Sequence, residues 1–537
     1  MPSVQERLQR VPGNPWQELQ RADRAWAACK QGQVMTATAV GGAGRGTWTD
    51  VRATPMPVQE TAAVLGAADW DVMVAGGTLG LLVAWGLRRR GYRVAVLERG
   101  ALQGRRQEWN ISRAELQSLL DLELLTPAEL ATAIVTEYNP GRIQFANSPA
   151  WWVTDVLNVG VRPDIFLQVL QQKFLQEGGY IGEFQPVVGL KIGADAIEIT
   201  TVHQGQQRIY RSRLLLDMMG HFSPLTQLAR RGQVPDGVCL VVGGCAQGFP
   251  ESSHGDLIVT TTPIINDCQY FWEAFPAQDG RTTYLFTYVD THPQRPSLTE
   301  LFAAYFAHLP AYQGVDVDAL MWQRFVFGFF PSYRRSPLGS HWARILPVGD
   351  SSGMQSPLSF GGFGALLRHL PRLLNGIDAA LQADALDRHS LSLLQPYQPN
   401  LALTWLFQQV MRVPVGANWP PNLVNEVLAT AFGVMATAGD AVLKPFLRDV
   451  IQLSGLTHTL VGMVRQNPCL VAQVVQRVGV GALLDWTGHY AMLSLYTLLA
   501  HAWGEKPLPT TLNYTQARLW EQLHYGSGRD YVLPTIR

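Results

Sequence analysis

Asp71-Val-Met-Val-Ala75-Gly76-Gly77-Thr78-Leu79-Gly80, running on through Leu-Leu-Val-Ala-Trp-Gly-Leu-Arg-Arg-Arg90-Gly91 to Tyr92-Arg-Val-Ala-Val-Leu97-Glu98-Arg99, is the stretch on which the fold turns. An apolar run, an amphipathic stretch and a second apolar run read as strand, helix and strand, a βαβ unit that requires a parallel sheet. Between the first strand and the helix, Ala75 to Gly80 comes close to the G-x-G-x-x-G turn. In that turn glycines let the backbone approach a pyrophosphate seated on the positive end of the next helix. Ala75 stands where the first glycine usually is, which leaves Gly76, Gly77 and Gly80 as candidates. Glu98 closes the second strand 98 − 80 = 18 residues after Gly80, where a carboxylate binds ribose hydroxyls, and Arg99 follows it as a further cofactor-binding candidate.

Working outward, a second glycine-rich segment lies about 270 residues downstream: Arg344-Ile-Leu-Pro-Val-Gly349-Asp350-Ser-Ser-Gly353, then Pro357, Gly361, Gly362 and Gly364, leading into Ala-Leu-Leu-Arg-His-Leu. A strand ending in Gly349-Asp350 offers a carboxylate to ribityl hydroxyls, and a glycine-rich helix start offers N–H groups to a flavin pyrimidine edge. An enzyme using only NAD has no need of this second half. Both halves in this order predict FAD. Between them, Leu214-Leu-Leu-Asp217-Met-Met-Gly220 reads either as a strand whose Asp-x-x-Gly touches FAD or as an ordinary strand and turn.

The 537 residues, 47% of them hydrophobic, suffice for two or three domains with large cores. Lys plus Arg and Asp plus Glu both number 42, which leaves no basic face for nucleic acid. Cys29, Cys239, Cys245, Cys268 and Cys469 form no CxxC pair, so neither a disulfide framework nor a zinc site is expected. His389, Asp485 and His489 show no ligand spacing, and no metal is expected. The polar start MPSVQERLQRV has no apolar core of a signal peptide, which predicts an intracellular protein.

Along the chain, a charged helical start and a Gly/Thr-rich stretch at 36–48 form an N-terminal extension, residues 1–68. The first part of an FAD-binding domain follows at 69–222, with a helix predicted over 164–178 and a buried strand at 211–220. Residues 223–339 read as an antiparallel sheet that holds the substrate, with QYFWEAFP (269–276) and RTTYLFTYVD (281–290) forming a hairpin around AQDG. The FAD-binding domain resumes at 340–376, and 377–537 is mainly helical with Pro-rich joints at 395–400 and 413–422. The fold class expected is α/β: a Rossmann-like FAD domain, an inserted antiparallel sheet and a helical C-terminal domain. Trp486–Gly504 is long and uncharged but contains Thr487, Gly488, His489 and His501; a buried helix, an interfacial helix and a span all remain readings of it.

Taken together, GGTLG (76–80), GRRQEWNISR (104–113), GVRPD (160–164), DGVCLVVG (236–243), QYFWEAFP, RTTYLFTYVD, VGDSSGMQSPLSFGGFG (348–364), SLSLLQPYQPN (390–400) and LLDWTGHY (483–490) resemble the CruA/CruP type of lycopene cyclase, the CruP branch especially. The resemblance spans residues 70–505. It implies the flavoprotein hydroxylase fold, an FAD-dependent enzyme of carotenoid metabolism in a photosynthetic organism, and reduced FAD fed by NADPH or another donor. It also implies Arg113 and Arg162 as partners for the cofactor's phosphates or ring edge, lycopene or a related polyene as substrate, and a cytoplasmic or peripheral thylakoid location. Cyclisation by this type is an isomerisation: an acid protonates the polyene end, a carbocation forms, the ring closes and a proton is lost. Such an acid must be held neutral in an apolar cavity.

In plant-type β-cyclases an FLEET segment on the second hairpin strand supplies that acid, whereas this chain has Leu285-Phe-Thr287-Tyr288 there. Glu273, on the preceding strand among Tyr270, Phe271, Trp272 and Phe275, is the nearest carboxyl, with Glu108 and Asp290 behind it. Period-2 alternation puts Phe271, Glu273 and Phe275 on one face. The aromatic run 321–333 reads either as tunnel lining or as core. Two other functions stay open: an FAD monooxygenase or reductase acting on a carotenoid or isoprenoid, and a flavin- or carotenoid-binding protein without cyclase chemistry.

Overall fold

In the computed structural model, residues 2–33, 56–359, 361–503 and 512–531 are described. The Gly/Thr-rich stretch at 36–48 lies outside them. The strand Trp70–Ala75 is the centre of the first sheet, pairing in parallel with Val94–Leu97 on one side and with the end of Gln206–Asp217 on the other. Val94–Leu97 in turn pairs with Tyr180–Gly182, and Gln206–Asp217 with Ile345–Pro347, both in parallel. The parallel core is thus assembled from pieces of chain more than 250 residues apart, since Trp70 and Ile345 belong to one sheet. Three further strands, Val58–Glu60, Val187–Ile192 and Ile197–His203, extend it past the first half of Gln206–Asp217.

The central strand is apolar throughout because both of its faces are covered, as parallel sheets require. Val72 and Val74 pack with the helices Gly80–Arg88 and Gly362–Gln382, while Met73 and Ala75 face the opposite layer with Leu190, Ile199 and Leu215. The predicted helix over 164–178 is present as Pro163–Gln176, and the buried strand at 211–220 is the end of the longer Gln206–Asp217.

A second sheet has the order Met321–Ser332, Gly237–Gln247, Gly280–Val289, Phe271–Ala277, Gly255–Val259, Gly141–Gln144 and Ala150–Val153. The hairpin expected around AQDG is there, closed by Ala277 opposite Gly280. Two strands of this sheet come from 141–153, ahead of the segment expected to be inserted, and Gly255–Val259 runs parallel to Gly141–Gln144. The purely antiparallel insert is therefore corrected to a mixed sheet. A parallel neighbour needs a long crossover, which short-range turn signals do not reveal.

One face of the second sheet carries Val238, Leu240, Trp272 and Leu285 against the helix Leu298–Gln313 and the N-terminal helices Val4–Gln9 and Pro15–Lys30. Asp23 ties these layers together by accepting the N–H groups of Leu298 (2.6 Å) and Thr299 (3.2 Å) at the start of that helix. The other face carries Cys239, Phe271, Phe286 and Tyr288 toward Met411, Val413 and Val424 of the helical C-terminal region. No single described helix is long and apolar enough to cross a membrane; Pro468–Val478 and Val480–Ala502 would qualify only as a pair, bent by 107°.

Candidate functional site

The two glycine-rich segments border one cavity of about 990 Å³, at the upper end of the roughly 300–1,000 Å³ typical of ligand sites. Gly76, Gly77, Glu98 and Arg99 line it from one side and Gly349, Asp350, Gly361, Gly362 and Gly364 from the other. Their convergence follows from the sheet: Val348 donates its N–H to Asp217 O (2.9 Å) and Met218 to Ala75 O (2.8 Å), so the carboxyl ends of three strands meet at one edge.

The first turn is built for close approach. Gly76 has φ +99°, and a Cβ there would lie 2.2 Å from the carbonyl oxygen of Met218. Gly77 donates its N–H to Glu98 Oε2 at 2.8 Å, which holds the carboxylate at the turn. Gly80 lies outside the lining, and its role is packing: a Cβ would meet Val74 Cγ1 at 2.7 Å, so only glycine brings the helix this close to the strand.

Helix Gly80–Arg88 begins at the turn and helix Gly362–Gln382 begins inside the opposite segment, and neither N-terminus has a side-chain cap. Both leave N–H groups and a positive dipole end near one cavity. At Gly362 a Cβ would come within 2.6 Å of Asp350 Oδ1, so the missing side chain is what leaves this helix start open. A diphosphate at the first helix, a ribityl chain beside Asp350 and a polar ring edge at the second match the donors and acceptors of FAD.

The remaining residues expected at the cofactor fall elsewhere. Asp217 is sealed behind the cavity, accepting from Ser223 Oγ (2.6 Å), Met219 N (3.1 Å) and Ser351 Oγ (3.2 Å); burial pushes its carboxyl up to about 6. It braces the strand ends and does not touch the cavity. Pro357 borders a small neighbouring pocket with His221 and Arg230. Neither Arg113 nor Arg162 is brought to the cavity. Arg113 pairs with the exposed Glu137, and Arg162, at the cap of helix Pro163–Gln176, folds back on Asp164 (Nε to Oδ1, 2.9 Å), because a carboxylate in its own first helical turn is the nearest anion.

At its far end the cavity is walled by the second sheet: Cys239 and Val241, Glu273 and Phe275, Tyr284 and Phe286, then Val326, Phe327 and Phe330. The predicted sharing of a face by Phe271, Glu273 and Phe275 holds, with Trp272 turned to the opposite layer against Tyr312. The aromatic run 321–333 is divided: Val326 and Phe330 face the cavity and Phe325 and Phe329 the core, while Phe327 packs against Phe302 of the core and also reaches the cavity lining.

Glu273 sits opposite Tyr284 on the neighbouring strand. Its carboxyl faces the cavity and makes no hydrogen bond or ion pair among the described residues. Burial alone raises it to about 7 from 4.5, so a large share is neutral near pH 7. The other carboxyls named beside it are committed: Glu108 to Arg324 (3.0 Å) and Asp290 to Arg295 (2.8 Å).

Sequence reading missed the contribution of the C-terminal region. Leu401, Leu447, Arg448 and Asp449 close the cavity from the helical side. Asp449 sits half-buried beside the second glycine segment, accepts from the Ser359 hydroxyl, and is pushed up to about 6 by desolvation. Arg448 faces Glu115 at 3.5 Å. Nothing in the string LKPFLRDV marks these residues; only the packing of the helix Asp440–Leu447 against the sheet brings them there.

No family profile and no curated protein matches this chain. Solved structures do resemble it. A geranylgeranyl bacteriochlorophyll reductase-like protein from Thermoplasma acidophilum superposes with TM-score 0.55 at 11% identity, over 78% of this chain and 99% of the other. A variant of the halogenase PltM, solved in complex with FAD, superposes with TM-score 0.53 at 13% identity, over 86% and 96% of the two chains. The chain has the fold of an FAD-binding flavoprotein. Glu98 lines the cavity with its carboxylate held at the turn; as the expected acceptor of ribose hydroxyls, its replacement in Glu98→Ala is expected to weaken FAD binding by roughly 10- to 100-fold, the worth of hydrogen bonds to a charged group. Titration of the apoprotein by flavin fluorescence quenching measures it; unchanged affinity would remove Glu98 from the site.

Proposed function

We propose that this protein binds FAD and is a lycopene cyclase-like enzyme of carotenoid biosynthesis, acting as an intramolecular lyase or isomerase. The observation that carries this reading is Glu273: a carboxyl with no cation beside it, kept largely neutral by burial, on an aromatic wall of the cavity that the two glycine segments border. When bound in its reduced form, FAD supplies a fixed negative charge beside the substrate and is not consumed.

Glu273 donates its proton to the terminal double bond of the polyene, forming a C–H bond and a tertiary carbocation. The neighbouring double bond attacks that centre and closes the ring, and loss of a proton returns a neutral product, an isomer of the substrate. The faces of Phe275, Tyr284 and Phe286 surround the positive charge and favour it over the neutral polyene. Excluding water from this wall protects the cation from capture. The same apolar surface suits a long hydrocarbon, collected at a membrane surface by a protein peripheral on the photosynthetic membrane, with NADPH or another donor keeping the flavin reduced.

Anaerobic incubation of the purified protein with lycopene and chemically reduced FAD, followed by chromatography, is expected to yield a mono- or bicyclic isomer; recovery of unchanged lycopene would overturn the reading. A second reading, an FAD-dependent reductase or monooxygenase acting on an isoprenoid, draws on the fold shared with the reductase-like protein. It requires NADPH to be consumed and the product mass to rise by hydrogen or oxygen, whereas a cyclase leaves the mass unchanged.

A further inference from the structure

A groove of about 810 Å³ opens on the outer side of the helical C-terminal region, between the helices Leu453–Gln466 and Val480–Trp503 and the segment Ser527–Arg529. Arg465, Arg529, His458 and His501 line it, and among the described residues no carboxylate does. Arg465 makes no ion pair or hydrogen bond among the described residues, and the buried Nη1 of Arg529 has no hydrogen-bond partner there. In a chain with equal numbers of acidic and basic residues, a groove whose charged side chains are of one sign, with no counterion among the described residues, suits an anion.

Part of its border is apolar: Leu453 and Val461 line the groove, Val461 being 43% exposed, and Leu498, next in sequence to the groove residue Thr497, is 66% exposed. Cations flanked by outward-facing Val and Leu match an anion that carries its own hydrocarbon. A free phosphate would satisfy the arginines and leave the leucines in water. The groove also stands against the cofactor cavity: Arg448 and Asp449 line the cavity, and Gln452, Leu453 and Ser454 line the groove.

We propose that this groove holds the anionic head group of a membrane lipid and seats the protein on an anionic bilayer, bringing the wall of the cavity to the surface where apolar substrates reside. The proposal rests on the reading that the protein works at a membrane and names the surface and the charge it uses.

Flotation of the full-length protein with vesicles tests it. Vesicles of phosphatidylcholine with one quarter phosphatidylglycerol are expected to carry the protein at low salt, and phosphatidylcholine alone is not. An Arg465→Gln/Arg529→Gln double variant should partition about 25-fold more weakly, at roughly fivefold per cation near the surface, with thermal stability and flavin content unchanged. Inorganic phosphate added to the mixture should compete only weakly. Binding that is equal in the double variant, or equal on neutral vesicles, would overturn the groove while keeping the membrane reading. No flotation with either vesicle would overturn both.

Discussion

Glu273→Gln is expected to lower cyclisation of lycopene by about 10²- to 10⁴-fold, the usual worth of a positioned general acid, with FAD still bound. The amide keeps the size and polarity of the side chain and has no proton to give. The same residue sets the pH dependence. Wild-type activity should fall as pH rises through about 7, where the buried carboxyl ionises. Because its folded-state value lies above the unfolded one, the neutral carboxyl favours the fold at low pH. That contribution is complete below about 4.5 and is lost as pH rises through about 7. Glu273→Gln cannot ionise, so it should be more stable than wild type at about pH 8, by about 3 kcal/mol at most, and should lose the advantage as pH falls to about 4.5. Turnover surviving in the variant would remove Glu273 from the mechanism; a melting difference that does not narrow on acidification would contradict its burial.

Gly76→Ala is expected to yield protein without bound flavin, destabilised by roughly 2–5 kcal/mol. The left-handed backbone at φ +99° costs an L-residue about 1–2 kcal/mol. The added Cβ would sit 2.2 Å from the Met218 carbonyl, which is held by the strand behind it and cannot retreat without disturbing the sheet edge, at a further cost of about 1–3 kcal/mol. Absorbance near 450 nm, a wavelength proper to oxidised flavins in general, together with chemical denaturation reads both effects. A yellow protein of wild-type stability would show that the turn tolerates a side chain.

Much of the cofactor half was legible in the sequence because its signals are local. Gly76, Gly77 and Glu98 lie within 23 residues, and the chemistry of each follows from a backbone turn and a strand end. Ala75 in place of the first glycine cost nothing, since its position is the last residue of the strand Trp70–Ala75 and needs no unusual φ. Period-2 alternation likewise placed Glu273 on the face of Phe271 and Phe275, because the register of a hairpin with a tight turn admits little freedom. Arg113 and Arg162 could not be placed the same way. Each is a long cation that takes whichever carboxylate lies within reach, and Glu137 and Asp164 are the ones the fold supplies.

By itself the sequence determined the βαβ unit, the paired glycine segments and the aromatic wall with one carboxyl on it, because these depend on spacing over a few residues. Only the tertiary structure decided that both glycine segments and Glu273 border a single cavity, that Asp449 and Arg448 close it, and that strands from 141–153 join the second sheet. Those are meetings of chain segments tens to hundreds of residues apart. They are set by which buried faces pack together over the whole molecule, and no local periodicity carries that information.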